Sequence, residues 1–163
     1  MPFVVSGQIG IDLTKTSATP EQTVGTLVTA TDGGVWQYVR AASTISQYAA
    51  VVLYTDGTAR MAETSAVGFA EVAVRTVGFA QVSIVSAYYG WVARSGKVIF
   101  NVADDCGAGV PLFTTATPGV LDDATVSNCH IAGVYLTTTS SLATAMTGYA
   151  STLAYVSFYS NPA

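Results

Sequence analysis

Val35-Trp36-Gln37-Tyr38-Val39-Arg40 reads as a strand, because residues two apart share a face: Trp36, Tyr38 and Arg40 on one side, Val35, Gln37 and Val39 on the other. Both faces carry large groups. The same period returns in Val98-Ile99-Phe100-Asn101-Val102, directly after the turn signal Ser95-Gly96, so Trp91 to Val102 is expected to form a hairpin. Composition extends the reading to the whole chain. Val, Ile and Thr together number 50, against 25 for Leu, Met, Glu, Lys, Gln and Arg, and the stiff β-branched side chains fit a pleated sheet better than a helix.

Turn signals recur at short intervals: Asp32-Gly33-Gly34, Asp56-Gly57, Tyr89-Gly90, Ser95-Gly96, Gly107-Ala108-Gly109 and Pro118-Gly119. Short strands joined by tight turns predict an all-β fold, a single-domain β-barrel or β-sandwich of short antiparallel strands. Helix is confined to Ser140–Ala150, where a capping serine and alanines precede Gly148. Val67 to Val74 and Val77 to Ile84 echo one another ten residues apart, which reads as two similar strands rather than a repeat array. Residues 1–24 differ from the rest. Their polar, turn-like centre, Thr14 to Gln22, predicts an extended N-terminal arm ahead of a β-rich body spanning residues 25–163.

The chain has 163 residues, long enough for one domain to bury a core without a metal or a disulfide. Charged residues make up only 10% against 50% hydrophobic, which excludes disorder. Six Lys and Arg against ten Asp and Glu leave a net charge of −4, too few cations to neutralise a phosphate backbone, so no nucleic-acid partner is expected. No membrane partner is expected either: the stretch Thr76 to Ala93 lacks formal charge but holds Gln81, Gly78, Gly90 and Tyr88-Tyr89. The start, Met1 to Gly7, lacks the basic and apolar regions of a secretory signal, so synthesis in a cytoplasm is expected. Cys106 and Cys129 would close a loop of 24 residues. A bridge there would add about 3 kcal/mol, although a reducing compartment favours free thiols.

Catalytic chemistry finds little support. One histidine, His130, would have to serve any triad, with Asp104, Asp105, Asp122 or Asp123 as its orienting acid, and no Gly-x-Ser-x-Gly elbow accompanies it. Cys106, Cys129, His130 and Asp104-Asp105 could hold zinc, but their spacing matches no finger or ribbon. The pairs Asp104-Asp105 and Asp122-Asp123 would point to opposite faces of a strand and read as solvated turn residues. Neither glycine-rich phosphate motif occurs. The chain is therefore not expected to be an enzyme, and no metal or other cofactor is expected.

The order of elements resembles a known family. Val24-Gly25-Thr26 with Thr31-Asp32-Gly33-Gly34, then Trp36-Gln37-Tyr38-Val39-Arg40-Ala41 and Ile45-Ser46-Gln47-Tyr48-Ala49-Ala50-Val51, resembles the opening of tailed-bacteriophage head decoration (capsid cement) proteins. Val77 to Val82 with Tyr89-Gly90-Trp91-Val92, Leu112 to Ala124, and Ile131-Ala132-Gly133-Val134 are similar to later segments of that family, so the likeness spans Gly25 to Leu136. It implies a subunit, commonly a homotrimer, that binds the major capsid protein on the outer surface of an assembled head. The arm is the expected contact, through Phe3, Val4, Val5, Ile9, Ile11 and Leu13, which alternate loosely with polar residues and could add a strand to a neighbour's sheet edge. The alternative is a carbohydrate-binding or host-adhesion module using Trp36, Tyr38, Tyr88, Tyr89 or Trp91 as a stacking platform.

Overall fold

The computed structural model describes residues 10–64, 74–125 and 130–157, and among these no residue is helical. Among the described residues eleven strands follow in order: β1 (Leu27–Thr29), β2 (Val35–Ala41), β3 (Ala50–Leu53), β4 (Thr58–Met61), β5 (Val74–Ala80), β6 (Tyr89–Ala93), β7 (Gly96–Val102), β8 (Leu112–Thr114), β9 (Val120–Asp122), β10 (His130–Leu136) and β11 (Thr144–Ser157). The all-β, single-domain reading holds. Pairing closes the strands into two barrel-like circuits. The first runs β2-β4-β3-β5-β6 and back to β2, with β1 along the free part of β2; the second runs β7-β11-β10-β8-β9 and back to β7. Each circuit includes one parallel pair, β2 with β4 and β7 with β9, in an otherwise antiparallel arrangement.

Strand β3 explains why Ala49 to Leu53 is an apolar run and not an alternation. Val51 and Leu53 point into the first circuit's core with Val39, Ala41, Ile45, Ala59, Ala80, Ile84 and Val92. Ala50 and Val52 point the other way, into the larger core with Val77, Phe79, Phe100, Leu112, Leu121 and Ile131. A strand wedged between two cores has no solvent face, so period two vanishes from its sequence.

Two local expectations are corrected. Trp91 to Val102 is not a hairpin: β6 pairs with β2 and β5, whereas β7 pairs with β11 and β9. The amides of Arg94 and Ser95 both donate to the Val35 carbonyl, at 2.7 and 3.2 Å, and this corner carries the chain from one circuit to the other. Nor is Ser140–Ala150 helical. Thr144 to Ala150 forms the first half of β11 and pairs with all of β7, from Val102 back to Gly96. With Gly148 and the threonines weakening its helical preference, the sheet contacts prevail.

The far half of β11, Tyr155 to Ser157, pairs with β5 and so ties the second circuit to the first. Between the halves, the register against β10 shifts at Ala132/Val134. Gly133 occupies that irregularity with φ +79, where a side chain would be strained and a Cβ would sit 3.1 Å from that of Ser151.

The first circuit also carries an internal two-fold relation, in which Ile45 corresponds to Ile84 and the two exchange both backbone hydrogen bonds (2.8 and 2.9 Å). Tyr48 N–H donates to Ala80 O and Ala87 N–H to Ala41 O; Ala41 N–H donates to Tyr88 O and Ala80 N–H to Ala49 O. The registers repeat too, Val39 opposite Gly90 matching Gly78 opposite Val51. Even the strain recurs, for Tyr48 and Ala87 both hold positive φ, at 62 and 67°. The ten-residue echo is not this relation, and its first copy lies largely outside the described residues. Exposed Ala87 is held in a conformation that suits glycine. Ala87→Gly is therefore expected to raise stability by about 0.5–1 kcal/mol in urea unfolding, whereas Ser86→Gly, next to it but without a positive φ, should not.

Candidate functional site

Of the six arm residues expected to make the contact, Phe3, Val4, Val5 and Ile9 lie outside the described residues, while Ile11 and Leu13 are half-buried. The described part of the arm crosses the outside of the first circuit. Ser17 and Tyr89 exchange backbone hydrogen bonds at 3.0 and 2.8 Å, and the Glu21 amide donates to the Tyr38 hydroxyl at 3.0 Å. Lys15 and Glu21 form an exposed ion pair at 2.6 Å, which contributes little by itself.

This strap decides the fate of the aromatic platform. Tyr38 stacks on Tyr89 (centroids 6.1 Å, planes 13° apart) and tilts against Trp91 at 5.0 Å. Tyr38 and Trp91 are each only 3% exposed, so neither offers a ring face to a sugar. Trp36 and Tyr89 are half-buried, which leaves Tyr88 as the platform's exposed member.

An exposed apolar surface lies elsewhere, on the hairpin of β10 and β11. Tyr135 and Tyr149 are directly opposite in register and stack at 6.0 Å. They are 47% and 42% exposed, and Leu142 at the hairpin's tip is 71% exposed. Cross-strand aromatics stabilise a sheet where they pack, but rings left this open also offer a ready contact for another surface. The hairpin lies in the stretch from Ala124 onward, which has no Asp, Glu, Lys or Arg. Alternation alone could not single it out, because Gly133 and Gly148 interrupt the pattern.

The groups considered for metal or acid–base chemistry are rearranged. Cys129 lies outside the described residues, and His130 packs its ring at 5.3 Å from that of Phe113. Asp104 and Asp105 are exposed. Asp122 and Asp123 are not the solvated turn residues expected: both are half-buried, and with Cys106 they bring three potential ligand atoms within 4.8 Å of one another. Asp123 Oδ2 accepts the Gly107 amide at 2.8 Å, and Asp122 Oδ1 the Ala124 amide at 3.3 Å, so both carboxylates serve to fasten loops. Burial and then the charges of Asp123 and Asp122 push the Cys106 thiol up to about 11. It is a protonated, core-packed thiol at neutral pH, neither nucleophile nor ready ligand.

The sign of that shift fixes a pH dependence. The unfolded thiol ionises near pH 9 and the folded one near 11, so the thiol's contribution is intact below about pH 9 and is lost as pH rises toward 11. Cys106→Ala should remove that part of the alkaline destabilisation, measured as urea midpoints from pH 8 to 11. In the folded wild type, a thiol reagent at pH 8 should leave Cys106 unmodified.

No protein-family model, curated protein or solved structure matches the chain. No helix among the described residues is long and apolar enough to cross a membrane.

Proposed function

We propose that the chain is a virion structural protein, a decoration or cement subunit that binds the outside of an assembled phage head. The observation that carries this reading is the uncharged β10–β11 hairpin, which presents Tyr135, Tyr149 and Leu142 to solvent. Aromatic side chains of this kind are favoured anchors at protein interfaces. The proposed partners are the major capsid protein and two further copies of the chain, with the arm as a second contact. Symmetry supports the economy of the scheme, since three copies engaging together turn moderate single contacts into durable attachment. The function so proposed calls for no cofactor and no catalytic group.

Cryo-electron microscopy of particles from the genome encoding the chain should show it on the outer shell, at sites of three-fold contact. Deleting residues 2–9 removes Phe3, Val4, Val5 and Ile9 without disturbing the strap over Tyr38, and tests the arm separately. Replacing Tyr135 and Tyr149 with serine should weaken binding to heads at least about 30-fold, as expected for loss of one or more interface anchors, with little change in melting temperature. Binding to a glycan array without binding to heads would favour the adhesion reading, for which Tyr88 is the remaining exposed ring.

A further inference from the structure

Arg94 stands at the corner between the two circuits, its backbone fixed by the bond to Val35 O. Its side chain is half-buried, and its Nε is fully buried with no hydrogen-bond partner. The ion pair formed among the described residues is Lys15 with Glu21, so no described carboxylate answers the guanidinium. Burial lowers its pKa from the usual arginine value, but an arginine keeps its charge at neutral pH. Beside it opens a cleft of about 370 Å³ whose walls include Gln37, Thr55, Asp56 and Thr76. Asp56 turns one oxygen, Oδ1, to the amide and hydroxyl of Thr58 at 2.9 and 2.7 Å.

We propose that this cleft is a carboxylate socket anchored by Arg94, filled by an acidic side chain of another protein or by a free organic carboxylate. The two terminal amino groups of the guanidinium offer a planar pair of N–H bonds that a carboxylate spans with two bonds, while the enclosed Nε–H stays behind them and reports the binding. A carboxylate fits better than a phosphate. The cleft holds one cation and already carries the charge of Asp56, so a more highly charged anion meets more repulsion. The walls add an amide and two hydroxyls able to donate to the ligand's outer oxygens. This inference is independent of the virion reading, for it concerns a different face and a different chemistry.

The test follows the arginine Nε–H resonances of the full-length protein by nitrogen-15 NMR. Glutarate, a capped tripeptide with a central glutamate, and inorganic phosphate are titrated separately. One Nε–H peak, absent from Arg94→Gln, should shift saturably with a carboxylate at a Kd of about 1 mM or tighter. Binding of the peptide about tenfold tighter than glutarate identifies a protein side chain as the source, and the reverse a free carboxylate. Arg94→Lys keeps the charge without the fork and should weaken binding at least about tenfold, which keeps the test usable if Arg94→Gln does not fold. No saturable shift with either carboxylate overturns the proposal, as does phosphate binding as tightly as they do. Asp56→Asn should tighten carboxylate binding; if it instead moves the Arg94 peak and lowers the melting temperature, the two side chains answer one another and the socket does not exist.

Discussion

Gly148→Val is expected to lower the melting temperature by about 10 °C or to prevent folding. A Cβ at this position would lie 2.4 Å from Phe100 Cε1 and 2.5 Å from the carbonyl oxygen of Tyr135. The ring could in principle turn aside, but the carbonyl belongs to the paired strand β10, whose Leu136 is opposite Gly148 in register. Relief therefore requires β11 to move away from β10 while it is also held by β7, where Gly148 faces Val98. Overpacking of this kind costs about 3 kcal/mol, and more where backbone must shift. In a domain of this size each kcal/mol corresponds to about 2–4 °C. Differential scanning calorimetry measures the effect directly, and a change under about 3 °C would mean that the strands separate more freely than their pairing indicates.

Phe100→Ala should be comparably damaging, at about 3–5 kcal/mol in urea unfolding. Phe100 is fully buried in the larger core and packs against Phe79 with centroids 5.0 Å apart. Phe79 lies on β5 and Phe100 on β7, so the pair spans the two circuits. Removing the ring leaves a cavity at the junction instead of at a periphery that could collapse. Substitutions at the two positions should also couple. Phe100 occupies the space over Gly148, so the double variant Phe100→Ala with Gly148→Ala should be less destabilised than the sum of the single ones. Strict additivity would show that the Tyr135 carbonyl, and not the ring, sets the limit at Gly148.

Residues differ in how much of their structural role shows in the sequence. Val35 to Arg40 and Val98 to Val102 announce themselves by alternation, and Asp32-Gly33, Asp56-Gly57 and Pro118-Gly119 do fall between strands. Tyr89-Gly90 is deceptive, since both residues lie inside β6. The hairpin expected at Ser95-Gly96 does not form because a turn signal specifies that the chain bends, not which strand the next one will meet. The two-fold relation is hidden for another reason. Its halves share Val35 with Val74, Ala41 with Ala80 and Ile45 with Ile84, but otherwise have in common backbone hydrogen bonds, which leave almost no mark on side-chain identity. Tyr135 and Tyr149 are visible as aromatics, yet their stacking rests on a register that the intervening loop sets. Arg94 is one cation among six, and only the packing around the corner leaves its Nε without an acceptor.

The order in which the circuits close has a consequence for synthesis. Every strand of the first circuit lies before Gly96, so that unit can complete its pairing while the rest of the chain is still being made. The second cannot, because β11, the last of the described strands, pairs with β7, β10 and β5 at once. Until it arrives, β7 and part of β5 present open edges to other nascent chains. A ribosome stalled before Thr144 would thus release a half-finished molecule with a sound first barrel and adhesive flanks, and slow translation near the end would favour aggregation over completion.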